Sequence, residues 1–427
     1  MFSIRSETPA VRRLVMAVMA AVLLANAAVV LWRGDHFLLG SYEKRNNDDV
    51  KYIYAAQMLV ERHTLVYNSG GAPTDFIMPA IPLMLSGFMA FLDRDGAVTA
   101  FRLLQCLMQT ASVYLVFVAA RALLGTRTAL LAALLSACYV PDLFASGAIL
   151  TESTFKLLFL LLVCGTLYAL KSGTGAAWAL VGILLGLACY VKPQSCLYPL
   201  CLFLIWLAHK YGWRQFVKCT AIVGVSSLLL LTPWWVRNYA DFRAFIPFTN
   251  SSGNPMLLGA LIKRQAPPQG FFEQYPEYAG NRLFAGSNSW EKKAAKRLIA
   301  YGFTHDPLRY AYWFTVGKTI GLFEGPFYSK PVPGLPRPAV VTLHVMYVIA
   351  GFAGIAASLA QRRFKQLMPL LLPFLYFWFI HLPFVTFGRY GYPLMWILTI
   401  FAASALGSLA DWIRRRRSAR QAEPANL

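Results

Sequence analysis

Charge is scarce in this sequence and acid scarcer still: 14% of the 427 residues are charged, with 19 Asp and Glu against 40 Lys and Arg. A soluble globular domain carries about 25% charged residues, so that class is excluded. The 57% hydrophobic content points to lipid as the solvent. No CxxC pair occurs among the seven cysteines, and Cys106, Cys138, Cys164, Cys189, Cys196, Cys201 and Cys219 all lie within or at the ends of apolar runs. That pattern suggests neither a zinc site nor a disulfide framework, and the cysteines read as small packing residues. The apolar runs are continuous and not alternating, which excludes a transmembrane barrel. No internal repeat is visible, which weakens a transporter built from inverted repeats.

What is present is a succession of apolar runs of about twenty residues, the length that crosses a hydrocarbon core. The fold class is therefore an all-α polytopic membrane protein. A net charge of +21 would hint at nucleic acid in a soluble chain, but here the bases flank apolar runs. The clusters are Arg5, Arg12 and Arg13; Arg121 and Arg127; His209, Lys210, Arg214 and Lys218; Arg362, Arg363 and Lys365; and Arg414 to Arg417. Such flanks mark the cytosolic side and suit anionic headgroups, so membrane lipids are the expected partners and nucleic acid is not. Ala25-Asn26-Ala27 resembles a signal-peptide cleavage site, yet the apolar stretch continues through Trp32 and is taken as an uncleaved first span.

Threading the chain on these flanks gives about ten spans with both termini cytosolic: 12–32, 98–120, 128–147, 153–170, 176–191, 195–208, 217–236, 339–360, 367–387 and 392–412. Residues 33–97 form a first external loop, whose proline-broken segment Phe76–Leu92 is placed in the membrane interface. Residues 237–310 form a mixed external loop lobe, and Tyr310–Phe327 a second interfacial helix. Three parts result: an N-terminal module 1–236 with the first external loop, a loop region 237–338, and C-terminal helices with a basic tail, 339–427. Of the nineteen acids only Glu7, Asp411 and Glu423 fall on the cytosolic side. The polar, acidic face is outside, and chemistry is expected there.

Four groups meet at that face. Asp48 and Asp49 follow the first span directly, where charge is costly and marks function; a helix start is the competing reading, although one Asp suffices for a cap. Glu152 follows the third span and suits either a helix start or a site. Lys192, Arg237 and Arg389 sit at outer span ends against the positive-inside tendency, where they snorkel to headgroups or hold a phosphate. The loop Phe248–Gly259, with Asn250, suits sugar binding or plain turn chemistry. Acids and phosphate-binding cations on one face fit glycosyl transfer from a lipid-linked donor: a carboxylate takes the acceptor proton while cations stabilise the departing phosphate. One direct displacement would invert the anomeric centre.

A family resemblance rests on motifs spread over most of the chain. They are Asp48-Asp49-x-x-Tyr52, the proline-rich segment Met78–Leu83, Arg102 opening the second span, Thr151-Glu152, Pro233–Tyr239 with Arg237 and Asn238, and Arg389-Tyr390 with Pro393. In this order and placement they resemble the GT-C superfamily of membrane glycosyltransferases, nearest to bacterial relatives of protein O-mannosyltransferases and of the aminoarabinose transferase that modifies lipid A. The resemblance implies a polyprenyl-phosphate sugar donor, a lipid, glycan or protein acceptor, and a bacterial inner-membrane location with a periplasmic site. It implies Asp48 as the catalytic residue with Asp49 at the neighbouring acid position. The motifs and the polar groups of the outer face together make Tyr52, Arg102, Glu152, Lys192, Arg237, Asn238, Asn250, Arg389 and Tyr390 the substrate-binding candidates. Met78 stands where aminoarabinose-type enzymes carry a lysine, which leaves phosphate to Lys192, Arg237 or Arg389. Relatives differ in metal dependence; no dense carboxylate cluster demands an ion, so no cofactor is assigned and a divalent cation stays open. A flippase of lipid-linked oligosaccharide, with Gln109 and Lys156 as mid-span polar groups, and a polysaccharide polymerase or ligase are the alternatives.

Overall fold

The computed structural model describes residues 3–68, 70–284 and 287–422, with side chains described as far as Arg416. Glu423 and the side chain of Arg417, assigned above to the cytosolic tail, lie outside it. Every regular element among the described residues is helical.

Helix α1 (Pro9–Arg33) starts where Thr8 Oγ1 accepts from the Val11 N–H at 3.4 Å and proline occupies the first turn. The first loop contributes α2 (Asp48–Arg62) and α3 (Ala80–Met89), which pack on each other, and α3 leans on the long α4 (Arg94–Leu124). Asp93 caps α4 by accepting from the Gly96 N–H at 3.0 Å. Next come α5 (Thr126–Ala137) and α6 (Pro141–Gly147), then α7 (Glu152–Ser172), α8 (Gly175–Val191), α9 (Pro199–Ala208) and α10 (Trp213–Phe242).

The polar stretch that follows folds into α11 (Gly253–Ala260), α12 (Phe271–Gln274) and α13 (Asn288–His305). These helices enclose a small core of their own around Leu257, Phe271, Tyr278, Ala294 and Leu298, separate from the main one. The lobe expected to be loop-rich is thus built around helices joined by irregular segments. Then α14 (Pro307–Tyr312) runs through a π-helical turn, Trp313–Gly317, into α15 (Lys318–Phe323). The chain ends with α16 (Arg337–Ala360), α17 (Phe364–His381), the short α18 (Gly388–Gly391) and α19 (Met395–Ala422).

Among the described residues six stretches are long and apolar enough to cross a membrane: Pro9–Phe37, Arg94–Leu124, Glu152–Ser172, Trp213–Phe242, Arg337–Ala360 and Gly388–Arg416. A seventh joins them if α5 and α6, bent by 57° at their junction, count as one broken span. The expected count of ten therefore stands at six to seven by length and composition. The difference lies in helices that stop early: α8 ends at Lys192-Pro193, because a proline cannot continue it, and α9 has only ten residues. Helix α17, 18 residues long and interrupted by Pro369 and Pro373, is not among the six.

Close packing between spans uses small residues, since lipid gives no hydrophobic drive for helices to associate. Helix α16 lies on α19 through Gly351 and Gly354, where a Cβ at Gly354 would sit 2.0 Å from the Phe401 carbonyl oxygen. Helix α8 lies on α10 in the same manner through Gly182 and Gly186.

Candidate active site

Four segments distant in sequence bring charge to one place. Asp48 stands in the first turn of α2, Glu152 opens α7, Lys192 caps the end of α8 and Arg389 rides on α18. Arg389 joins the two acids: its Nε donates to Glu152 Oε1 at 2.8 Å and its Nη1 to Asp48 Oδ2 at 2.7 Å. Lys192 Nζ donates to the same Glu152 oxygen at 3.1 Å. The Tyr67 hydroxyl donates to Asp48 Oδ1 at 2.7 Å. Glu152 is buried and its second oxygen, Oε2, has no partner, whereas the Asp48 side chain is 43% exposed. The site thus has a sealed floor and an open rim.

Local sequence explains the aim of each group. Asp48 and Tyr52, four residues apart, share one face of α2, and the Tyr52 ring lies 5.6 Å from that of Tyr67. Burial, then the charge of Asp48, raises the Tyr52 hydroxyl above the ordinary phenol range. Burial, followed by Tyr52 and Asp48, does the same for Tyr67, so both remain protonated donors. Burial lowers the Lys192 ammonium from its usual value, against the pull of Glu152. The Tyr390 ring lies 5.5 Å below Lys192 Nζ and stacks on His381. Helix α18 is pressed against the end of α15 and the residues after it: a Cβ at Gly391 or Gly388 would come within 2.0 Å of the Leu322 or Gly325 carbonyl oxygen. That contact fixes where Arg389 can point. Thr151 makes no capping bond to α7; its hydroxyl donates to Glu152 Oε1 at 3.1 Å.

Asp49 does not join this group. Consecutive helical residues point about 100° apart, and the Asp49 carboxylate turns inward to accept from the N–H groups of Leu39 at 2.5 Å and Val50 at 2.8 Å. It is fully buried and clamps the loop before α2. Arg102 also lies elsewhere, with Nε on the Gly147 carbonyl at 2.9 Å and Nη1 on Asp35 at 3.1 Å, tying α4 to α6 and to the turn after α1. Arg237, Asn238 and Asn250 form a separate knot. Arg237 pairs with Asp241 at 2.9 Å and donates to the Thr74 carbonyl at 2.8 Å. Asn238 donates to the Ile246 carbonyl at 2.8 Å, and Asn250 to Asp75 at 2.6 Å. Beside this knot, Leu59, Pro79, Leu83, Tyr190, Trp234 and Arg237 help line a cleft of about 290 Å³. Tyr67 is the participant that sequence reasoning missed: it lies nineteen residues beyond Asp48 in irregular chain, and no spacing rule links the two.

A family model described as dolichyl-phosphate-mannose-protein mannosyltransferase matches residues 77–236. The apo oligosaccharyltransferase of Archaeoglobus fulgidus superposes with a TM-score of 0.57 at 15% identity, over 97% of this chain and 52% of that one. The chain shares the helical membrane fold of that oligosaccharyltransferase. The same archaeal enzyme, AglB, in complex with an inhibitory peptide and a dolichol-phosphate, gives 0.54 at 14% identity over 96% and 52%. This chain therefore spans about half the length of those relatives. ArnT from Cupriavidus metallidurans bound to undecaprenyl phosphate gives 0.45 at 16% identity over 97% of this chain and 81% of that one. No curated protein matches the sequence.

Within this fold, the arrangement offers a half-open carboxylate, two cations and a phenol donor around one point. It offers little to a divalent ion. Among the described residues no three His, Cys, Asp or Glu converge, and both acids of the site already face cations.

Proposed function

We propose that the chain is a membrane glycosyltransferase that moves a sugar from a polyprenyl-phosphate donor to an acceptor hydroxyl at the external face of a bacterial inner membrane. The observation that carries this reading is Asp48: a carboxylate 43% exposed, oriented by Tyr67 and Arg389, beside a buried acid and a second cation. The acceptor hydroxyl gives its proton to Asp48 as its oxygen attacks the anomeric carbon. The bond from that carbon to the phosphate oxygen breaks, and its electron pair leaves with the phosphate. Arg389 and Lys192 stabilise the charge that develops there. Glu152 positions both cations and never meets the substrate. A single displacement inverts the anomeric centre.

Transport of a lipid-linked glycan would need polar groups free along the spans. The two mid-span candidates are committed: Lys156 Nζ donates to Asp142 at 2.6 Å and to Gln109 at 3.0 Å, and Gln109 donates to Tyr392 at 2.8 Å. That closure favours the transferase. The test is mass spectrometry of envelope glycolipids and glycoproteins with and without the gene, joined to an assay of the purified chain in liposomes with polyprenyl-phosphate sugars. A hexose or pentose mass missing from one acceptor class, together with transfer in vitro, is expected. Labelled lipid crossing the bilayer with no new glycosidic bond would overturn the reading.

A further inference from the structure

Two acids beside a phosphate are commonly neutralised by a divalent ion, which takes about six oxygen ligands and polarises the phosphate. In this chain that place is already filled. The Arg389 guanidinium spans Asp48 Oδ2 and Glu152 Oε1 at 2.7 and 2.8 Å. Lys192 adds a second positive charge on Glu152 at 3.1 Å. Two cations face two carboxylates, so a divalent ion would bring surplus positive charge. Nor are other acids free to join. Asp49 is held by backbone N–H groups, and Asp142 by Lys156 and Tyr392. Arg389 is set there by its backbone, because α18 packs directly on the carbonyls of Leu322 and Gly325. Its Nη2 donates to no group among the described residues.

We propose that Arg389, with Lys192, is a built-in cation standing where a divalent metal ion would otherwise bridge Asp48 and Glu152, so that the site acts without one. The inference deepens the glycosyl-transfer reading and rests on it only for the phosphate that Nη2 would meet. A tethered cation cannot dissociate, and its charge is available at any metal concentration.

The purified full-length chain is titrated with Mn²⁺, with free ion followed by electron paramagnetic resonance, and transfer is assayed after EDTA treatment. The wild type is expected to show no saturable Mn²⁺ binding below roughly 1 mM, the weak end of oxygen-ligand sites, and an unchanged initial rate in EDTA. The Arg389→Met/Lys192→Met variant leaves both acids without counter-charge and should gain a Mn²⁺ site at least about tenfold tighter. Adding Asp48→Asn should remove that site. Wild-type Mn²⁺ binding that Asp48→Asn abolishes, or activity lost in EDTA and restored by Mn²⁺, would overturn the proposal. A folded double variant that gains no site would also count against it. If the double variant does not fold, the wild-type titration and the EDTA assay decide alone. Mn²⁺ counting needs no knowledge of the sugar, so a chain that binds no Mn²⁺ yet transfers nothing sinks the transferase reading and leaves this inference standing.

Discussion

Glu152 and Lys156 stand one turn apart on α7, yet they belong to two regions built on opposite plans. Around Lys156 the polar groups close on one another: Asp142 accepts from Lys156 at 2.6 Å and from the Tyr392 hydroxyl at 2.7 Å, while Gln109 bonds Lys156, Ser153 and Tyr392. All are buried. Around Glu152 the ring stays open, with a bare Glu152 Oε2 and an Asp48 exposed at the rim. Buried polar networks specify a fold when every member is satisfied. Asp48 at the rim is the group placed to take a ligand, while the buried Glu152 behind it holds Arg389 and Lys192. The closed network also braces the open one, since it holds both α7 and the Tyr392 turn next to Arg389.

The largest expected effect breaks the open region. Asp48→Asn should lower kcat by about 10²- to 10⁴-fold in a liposome transfer assay, with the melting temperature unchanged. Next comes the closed region. Lys156→Met leaves Asp142 buried without its cation and should cost about 3–5 kcal/mol in detergent unfolding, with activity per folded molecule largely kept. Adding Asp142→Leu should restore most of that stability. Lys192→Met, whose partner Glu152 keeps Arg389, should destabilise less.

Smaller effects sharpen the contrast. Tyr67→Phe removes one of the two donors on Asp48 and should lower kcat about tenfold, the worth of one hydrogen bond to a charged group. Burial, then Tyr52 and Asp48, keeps the Tyr67 hydroxyl above the phenol range, so this loss should be the same at about pH 6 and pH 9. Last is Lys318, outside the spanning helices, which donates to the carbonyls of Gly259 at 2.7 Å and Phe384 at 2.6 Å. Burial, with Arg264 adding to it, brings its ammonium down to about 7. The unfolded chain keeps this proton up to about pH 10.4, so the cost of the buried charge is full below pH 7 and is relieved as pH rises. Stability should therefore grow by roughly 1 kcal/mol between pH 7 and pH 8, and Lys318→Met should flatten that rise in thermal melts.

Much of this was legible in the chain because the membrane imposes strong patterns. Continuous apolar runs with basic flanks gave the class, and charges that defy those flanks singled out Lys192 and Arg389. The same rule also selected Arg237, which the structure commits to Asp241 and Thr74, because position relative to a span says nothing about lateral neighbours. Asp49 was misplaced beside Asp48 for a simpler reason: adjacency in sequence puts two helical side chains on different faces. Tyr67 and the 57° bend between α5 and α6 leave no periodic trace, since one depends on an irregular loop and the other on a three-residue break.

The most direct test is a cryo-electron microscopy structure of the chain with a bound polyprenyl phosphate. The account predicts the phosphate on Arg389 and Lys192, with the side that would carry the sugar turned toward Asp48. Phosphate seated instead in the cleft at Arg237, with the Asp48–Arg389–Glu152 contacts undisturbed, would contradict it.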